Sequence, residues 1–172
     1  MPTVIIRPDA IGAEAGFDQS GPNLLSRIND NDTSTVINQN QTSANFYVGI
    51  ENSSDYSGAT INNVVVSVIG NTAGKASSCQ LEIQLKNAAE TTLQTTILDF
   101  GTTESTESTA EYSTDLTPSV VDGLNLAVTP DTSGITIKEV FITVDYTAAA
   151  VTTPYIGMKS GKYKIVSGKI KI

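Results

Sequence analysis

The chain has 172 residues, enough for one full domain whose core folds without disulfide or metal staples. It carries 18 Asp and Glu against 10 Lys and Arg, no His, no Trp and a single Cys. This composition removes any intrachain disulfide, the usual general base, the commonest nitrogen ligand for a metal, and every Ser–His or Cys–His nucleophile pair.

The charge is unevenly placed. Residues 1–150 hold five bases and all eighteen acids, a net of −13, whereas residues 151–172 hold five bases and no acid, a net of +5. Such a split predicts an acidic globular body followed by a short basic element that seeks an acidic surface. A binding or assembly protein fits it better than an enzyme. The sign of the body argues against nucleic acid as a partner, since phosphate binding needs cations. The start, Met1-Pro-Thr-Val-Ile-Ile-Arg-Pro-Asp9, lacks the basic lead and long apolar stretch of a signal peptide, and no apolar run is long enough to span a membrane. The expectation is a soluble product of a cytoplasm. The Asn-x-Ser/Thr triplets at Asn31, Asn40 and Asn52 then follow from an Asn/Thr/Ser-rich composition and mark no glycosylation.

Thr, Ser, Val, Ile and Asn dominate, so a period of two is the pattern to test. In chain order the predicted strands are 3–7, 34–38, 45–51, 61–69, 78–86, 92–100, 110–113, 124–129 and 135–147. Phe46, Val48 and Ile50 alternate with Tyr47, Gly49 and Glu51. Val64, Val66 and Val68 form one face, and Val65 and Ile69 on the other predict a strand buried on both sides. Cys79, Leu81, Ile83 and Leu85 alternate with Gln80, Glu82, Gln84 and Lys86, which makes Cys79 a small buried hydrophobe. Val140, Ile142, Val144 and Tyr146 make a further apolar face. Ile135 and Ile137 have the wrong parity for that face, which places a bulge near Lys138-Glu139. Turn signals separate the runs: Asp30-Asn31-Asp32, Asn52-Ser-Ser-Asp55, Gly70-Asn-Thr-Ala-Gly74, Asp122-Gly123 and Pro130-Asp131. Strands every ten to fifteen residues predict an all-β, antiparallel two-sheet β-sandwich, a jelly roll in preference to a seven-stranded immunoglobulin fold.

The order of several short motifs carries a resemblance. Arg7-Pro8-Asp9-Ala10 is followed by an acidic, Asn-rich stretch through Thr33-Ser-Thr-Val-Ile37. The chain then closes on the loop Thr129-Pro-Asp-Thr-Ser-Gly134 and the strand Ile137-Lys-Glu-Val-Phe-Ile-Thr-Val-Asp-Tyr146. Over about residues 3–147 this resembles a jelly-roll module that recurs in structural proteins of tailed bacteriophages. The resemblance implies a displayed, non-catalytic virion component made in the host cytoplasm and placed on the particle's outer surface, with a capsid decoration or cement protein as the preferred version. Its partners would be the major capsid protein or another virion protein, and further copies of itself as dimers or trimers.

The domain reading is therefore a sandwich over 1–147, a linker over 148–154 (Ala148-Ala-Ala-Val-Thr-Thr-Pro154) and a basic β-hairpin or docking arm over 155–172. Ser160-Gly-Lys-Tyr-Lys-Ile165 repeats almost unchanged as Ser167-Gly-Lys-Ile-Lys-Ile172. With Ser167-Gly168 as a two-residue turn, Tyr163, Ile165, Ile170 and Ile172 fall on one face and Lys162, Lys164, Lys169 and Lys171 on the other. A lone hairpin of this size is marginal in water. It needs a surface: the chain's own body, another copy, or a different protein. The candidate partner-binding residues are Tyr155, Met158, Lys159, Lys162, Tyr163, Lys164, Ile165, Lys169, Ile170, Lys171 and Ile172.

Chemistry is sparse elsewhere. Asp30 and Asp32, with Asp18 and Asn29, offer oxygen atoms for Ca²⁺ but lack the Gly and distal Glu of an EF-hand loop, so they read as turn residues. Glu104, Glu107 and Glu111 sit in a Thr/Ser-rich stretch and read as a solvated loop face rather than a glycosidase carboxylate pair. No Gly-rich loop follows a strand and opens a helix, so nucleotide cradling finds no support. No cofactor or metal is expected. Tyr47, Tyr56 and Tyr112 are the candidates for a sugar-stacking platform, because jelly rolls often serve as carbohydrate-binding modules; the lack of Trp weighs against it. Glycan binding, on a tail fibre or spike that touches a host surface, is the alternative to the capsid role.

Overall fold

The structure is a computed structural model that describes residues 2–15, 28, 37–38, 45–50, 55–72, 74, 77–130 and 134–150. Among the described residues ten strands occur in chain order: β1 (Thr3–Ile6), β2 (Pro8–Ala15), β3 (Ile37–Asn38), β4 (Asn45–Ile50), β5 (Thr60–Thr72), β6 (Ser78–Lys86), β7 (Thr92–Gly101), β8 (Ser105–Ser108), β9 (Asn125–Pro130) and β10 (Ile135–Thr147). One four-residue helix, α1 (Pro118–Val121), lies between β8 and β9. No helix among the described residues is long and apolar enough to cross a membrane.

The strands make two antiparallel sheets. One runs β1-β10-β5-β8, with β3 also against β10; the other runs β2-β4-β9-β6-β7. Four of the pairings nest in sequence: β6 with β7, β5 with β8, β4 with β9, and β1 with β10. This is the order of one long double-stranded hairpin rolled up on itself, and the rolling is sealed where β5 meets β10 and β6 meets β9. The architecture is thus an all-β two-sheet sandwich with jelly-roll strand order.

Alternation decides what fills the space between the sheets. Val64, Val66 and Val68 of β5 and Val140, Ile142 and Val144 of β10 face Cys79, Leu81, Ile83 and Leu85 of β6, Leu98 and Phe100 of β7, and Leu126 and Val128 of β9; all are buried in one cluster. Cys79 is a core hydrophobe, as its place in the alternation predicts. The bulge near Lys138-Glu139 is present as a register shift in which Gly70 pairs Ile137 and Ile69 pairs Glu139. One inserted residue moves the apolar set from odd to even positions, so Ile135, Ile137, Val140, Ile142 and Val144 all reach the core.

The bulge also aims Glu139 away from the core and toward Arg7. The Arg7 guanidinium donates from Nε (3.0 Å) and Nη2 (2.7 Å) to Glu139 Oε1, with the side chains 26% and 5% exposed. A nearly dry carboxylate is thereby tied across the sheet to the residue that follows β1. Arg7 belongs to the opening motif that the sequence singles out, and its physical duty here is structural. Lys138, the inserted residue, meets Glu104 of the β7–β8 turn.

Three sequence expectations change in detail. The turn expected over 70–74 does not include its first three residues, because Gly70, Asn71 and Thr72 continue β5 along β10. The strand expected over 110–113 reduces to a single bridge between Tyr112 and Val64, and the strand of this region is Ser105–Ser108. Val65 and Ile69 are only half-buried, so β5 is not covered on both sides along its length, although Ser67 between them is 5% exposed.

Helix α1 opens as a Thr-Pro pair should: Pro118 has no N–H to lose, and the Thr117 hydroxyl accepts from the Val120 N–H. It ends on Asp122, whose carboxylate accepts a 2.6 Å hydrogen bond from the Tyr56 hydroxyl. Tyr56 is fully buried and meets Tyr146 edge to face at 6.4 Å. Tyr56→Phe keeps the ring and strands one side of this bond. A loss of about 1.5 kcal/mol is expected for a bond to a charged acceptor, checked by denaturant unfolding at unchanged m-value.

Candidate binding site

The outward face of the sheet β2-β4-β9-β6-β7 is the most chemically varied surface among the described residues. Because side chains alternate, the positions that leave the core on β4, β6, β7 and β9 come to one face, and the register sets them in rows. Tyr47 stands opposite Ala127, Ala127 opposite Gln84, and Gln84 opposite Thr95. The next rows are Gly49, Asn125, Lys86 and Thr92 on one side, and Thr129, Glu82 and Ile97 on the other, followed by Gln80 with Asp99.

Small residues on the middle strand make a floor. Ala127 points outward yet is 5% exposed. The Lys86 side chain crosses this strand: from β6 it reaches over β9 to β4, where its ammonium lies 5.4 Å from the centre of the Tyr47 ring. Such a cation over an aromatic face holds the tyrosine in place. Beside this pair, Gln84 Nε2 donates to Glu82 Oε1 at 2.7 Å, and Gln80 Nε2 donates to Asp99 Oδ1 at 2.7 Å. The face therefore presents a phenol, two amide–carboxylate pairs and a lysine, with Ile97 54% exposed at its β7 edge. It can offer both donors and acceptors to a polyhydroxylated ligand, next to an aromatic surface.

The three tyrosines named from sequence do not share this face. Tyr47 lies on it; Tyr56 is buried beneath helix α1, and Tyr112 packs half-buried against the core while its backbone pairs with Val64. A platform built from all three is therefore ruled out by their positions; of the three, Tyr47 shares the face with Gln84, Glu82 and Lys86. The outward set Gln80, Glu82, Gln84 and Lys86 was legible from alternation. Asp99, Asn125, Ala127 and Thr129 were not, since only register brings them beside it.

Of the carboxylates named from sequence, Glu104 pairs with Lys138, Glu107 lies half-buried in β8, and Glu111 is exposed. No group of three or more His, Cys, Asp or Glu among the described residues is placed to hold a metal. The turn acids Asp18, Asp30 and Asp32, and the partner-binding residues Tyr155, Met158, Lys159, Lys162, Tyr163, Lys164, Ile165, Lys169, Ile170, Lys171 and Ile172, lie outside the described residues.

No protein-family model matches the chain, and no curated protein does. Among solved structures it is similar to the C-terminal CBM6 of LamC, a marine laminarinase from Zobellia galactanivorans, at 10% identity and TM-score 0.49, over 83% of this chain and 98% of that one. It is also similar to the isomalto-dextranase of Arthrobacter globiformis T6 complexed with panose, at 14% identity and TM-score 0.45. There the match covers 83% of this chain and 23% of the enzyme. The sandwich assignment stands on this chain's own strand register, and no site residue is transferred from either protein.

Proposed function

We propose that this protein is a non-catalytic binding domain that takes an uncharged glycan on the outward face of β4, β9, β6 and β7. The observation that carries the reading is Tyr47, held on that face by Lys86 and flanked by the Glu82–Gln84 and Gln80–Asp99 pairs. Aromatic rings take up the apolar C–H faces of sugars, while amides and carboxylates satisfy hydroxyls in both senses. With two carboxylates and one lysine, the face repels uronates and sulfated sugars and tolerates neutral ones.

A glycan array probed with the intact chain should give signal on neutral oligosaccharides. Tyr47→Ala should weaken the best hit at least tenfold, which is about 1.4 kcal/mol of binding, measured by titration calorimetry. Absence of any array signal above background overturns the reading.

A second reading, a capsid decoration or cement protein of a tailed phage, draws on the concentration of positive charge in residues 151–172 after a body of net −13. Co-assembly with virion proteins in a pull-down would support it, and the two readings meet if the domain is displayed on a fibre or spike. A truncation at residue 151 that still joins the particle at normal occupancy removes the capsid version.

A further inference from the structure

The outward face of the other sheet has the opposite chemistry. Ile5 of β1 stands across from Thr143 of β10, which stands across from Val65 of β5. The adjacent row sets Phe141 beside Ser67, and the next sets Glu139 beside Ile69. Ile5 is 50% exposed, while Val65, Ile69 and Phe141 are half-buried. Isolated exposed apolar residues need no explanation, but four on three adjacent strands make a contiguous strip. Arg7, paired with Glu139, closes its far end, and Ile5 is its most exposed member.

We infer that this strip is the seat of the chain's own residues 161–172. Three observations converge on that occupant. First, the chain leaves β10 at Thr147, two residues past Asp145, in the row next to Ile5, so the connection to the segment sets out from the rim of the strip. Second, the reach is sufficient. The ten residues from Ala150 to Ser160 extend to about 33 Å at most, whereas the strip from Thr3 to the level of Glu139 is about 20 Å long at strand rise. Third, the segment has the complementary pattern: Tyr163, Ile165, Ile170 and Ile172 alternate with four lysines, and the body it joins carries a net −13. Laid with its apolar positions on Ile5, Val65 and Phe141, it buries both strips and leaves its lysines toward water and the field of the body. The inference is independent of the glycan reading, which uses the opposite sheet.

Trypsin provides the test, because Lys162, Lys164, Lys169 and Lys171 are all within the segment. On the intact chain, cleavage at these lysines should be at least tenfold slower than in Ile5→Gln, a change at an exposed position that adds no trypsin site. It should not vary with protein concentration. The double variant Ile165→Ser/Ile170→Ser, which leaves the sandwich untouched, should show the same fast cleavage and keeps the test decisive if Ile5→Gln proves unstable. Equal rates in the wild type and the double variant overturn the proposal. So does protection that grows with concentration, since that assigns the strip to a second copy.

Discussion

Arg7→Ala is expected to lower the unfolding free energy by about 3 kcal/mol, the scale on which breaking a buried ion pair from one side acts. The reason is what remains. Glu139 is 5% exposed, stands opposite Ile69 at the bulge, and receives both Arg7 donors on a single oxygen. Without the guanidinium the carboxylate stays dry and faces Ile69 across the strand pair. The pair itself need not be a source of stability, because desolvating two charges offsets most of their attraction. Hence Arg7→Met combined with Glu139→Leu is expected to lie within about 1 kcal/mol of the wild type. Guanidinium unfolding of the wild type, both single variants and the double variant measures the coupling. Additive losses in the double variant would show that Arg7 acts through something other than this carboxylate.

Gly70→Ala is the second large effect. A Cβ at this position would lie 2.6 Å from the Thr136 carbonyl oxygen and 3.5 Å from Phe100 Cε1. The oxygen belongs to the backbone of β10 next to its bulge, so it moves only if the two longest strands separate. A loss of about 3 kcal/mol is expected from such overpacking, seen as a fall in melting temperature of roughly 6–12 °C for a domain of this size. Gly101→Ala is the control: a Cβ there meets nothing within 4 Å. Its stability should stay within about 0.5 kcal/mol of the wild type. The contrast separates steric intrusion from any general effect of replacing glycine.

These positions also show where sequence reading ran out. Gly70 reads as the start of a turn because glycine, Asn71 and Thr72 resemble punctuation. In the fold the glycine instead admits a neighbouring strand. Strand β2 escaped notice since Pro-Asp-Ala-Ile-Gly-Ala-Glu-Ala has few β-branched residues and pairs with β4 through two register shifts. Strand β8, Ser-Thr-Glu-Ser, carries no apolar alternation at all; it exists because β5 offers it an unpaired edge. The strand expected over 110–113 lies five residues after Ser105–Ser108 and keeps only the Tyr112–Val64 bridge.

What the amino-acid order determined alone was class and parity. Uninterrupted alternation over 78–86 assigned every side chain of β6 to the core or to the outer face, and the parity break before Val140 located the bulge, because a period of two leaves no freedom once one face is apolar. The tertiary structure decided which strands became neighbours. Local pattern is blind to partners dozens of residues away, so only the rolled pairing could bury Tyr56, set Arg7 on Glu139, and lay Tyr47 across Ala127 from Gln84 on one face.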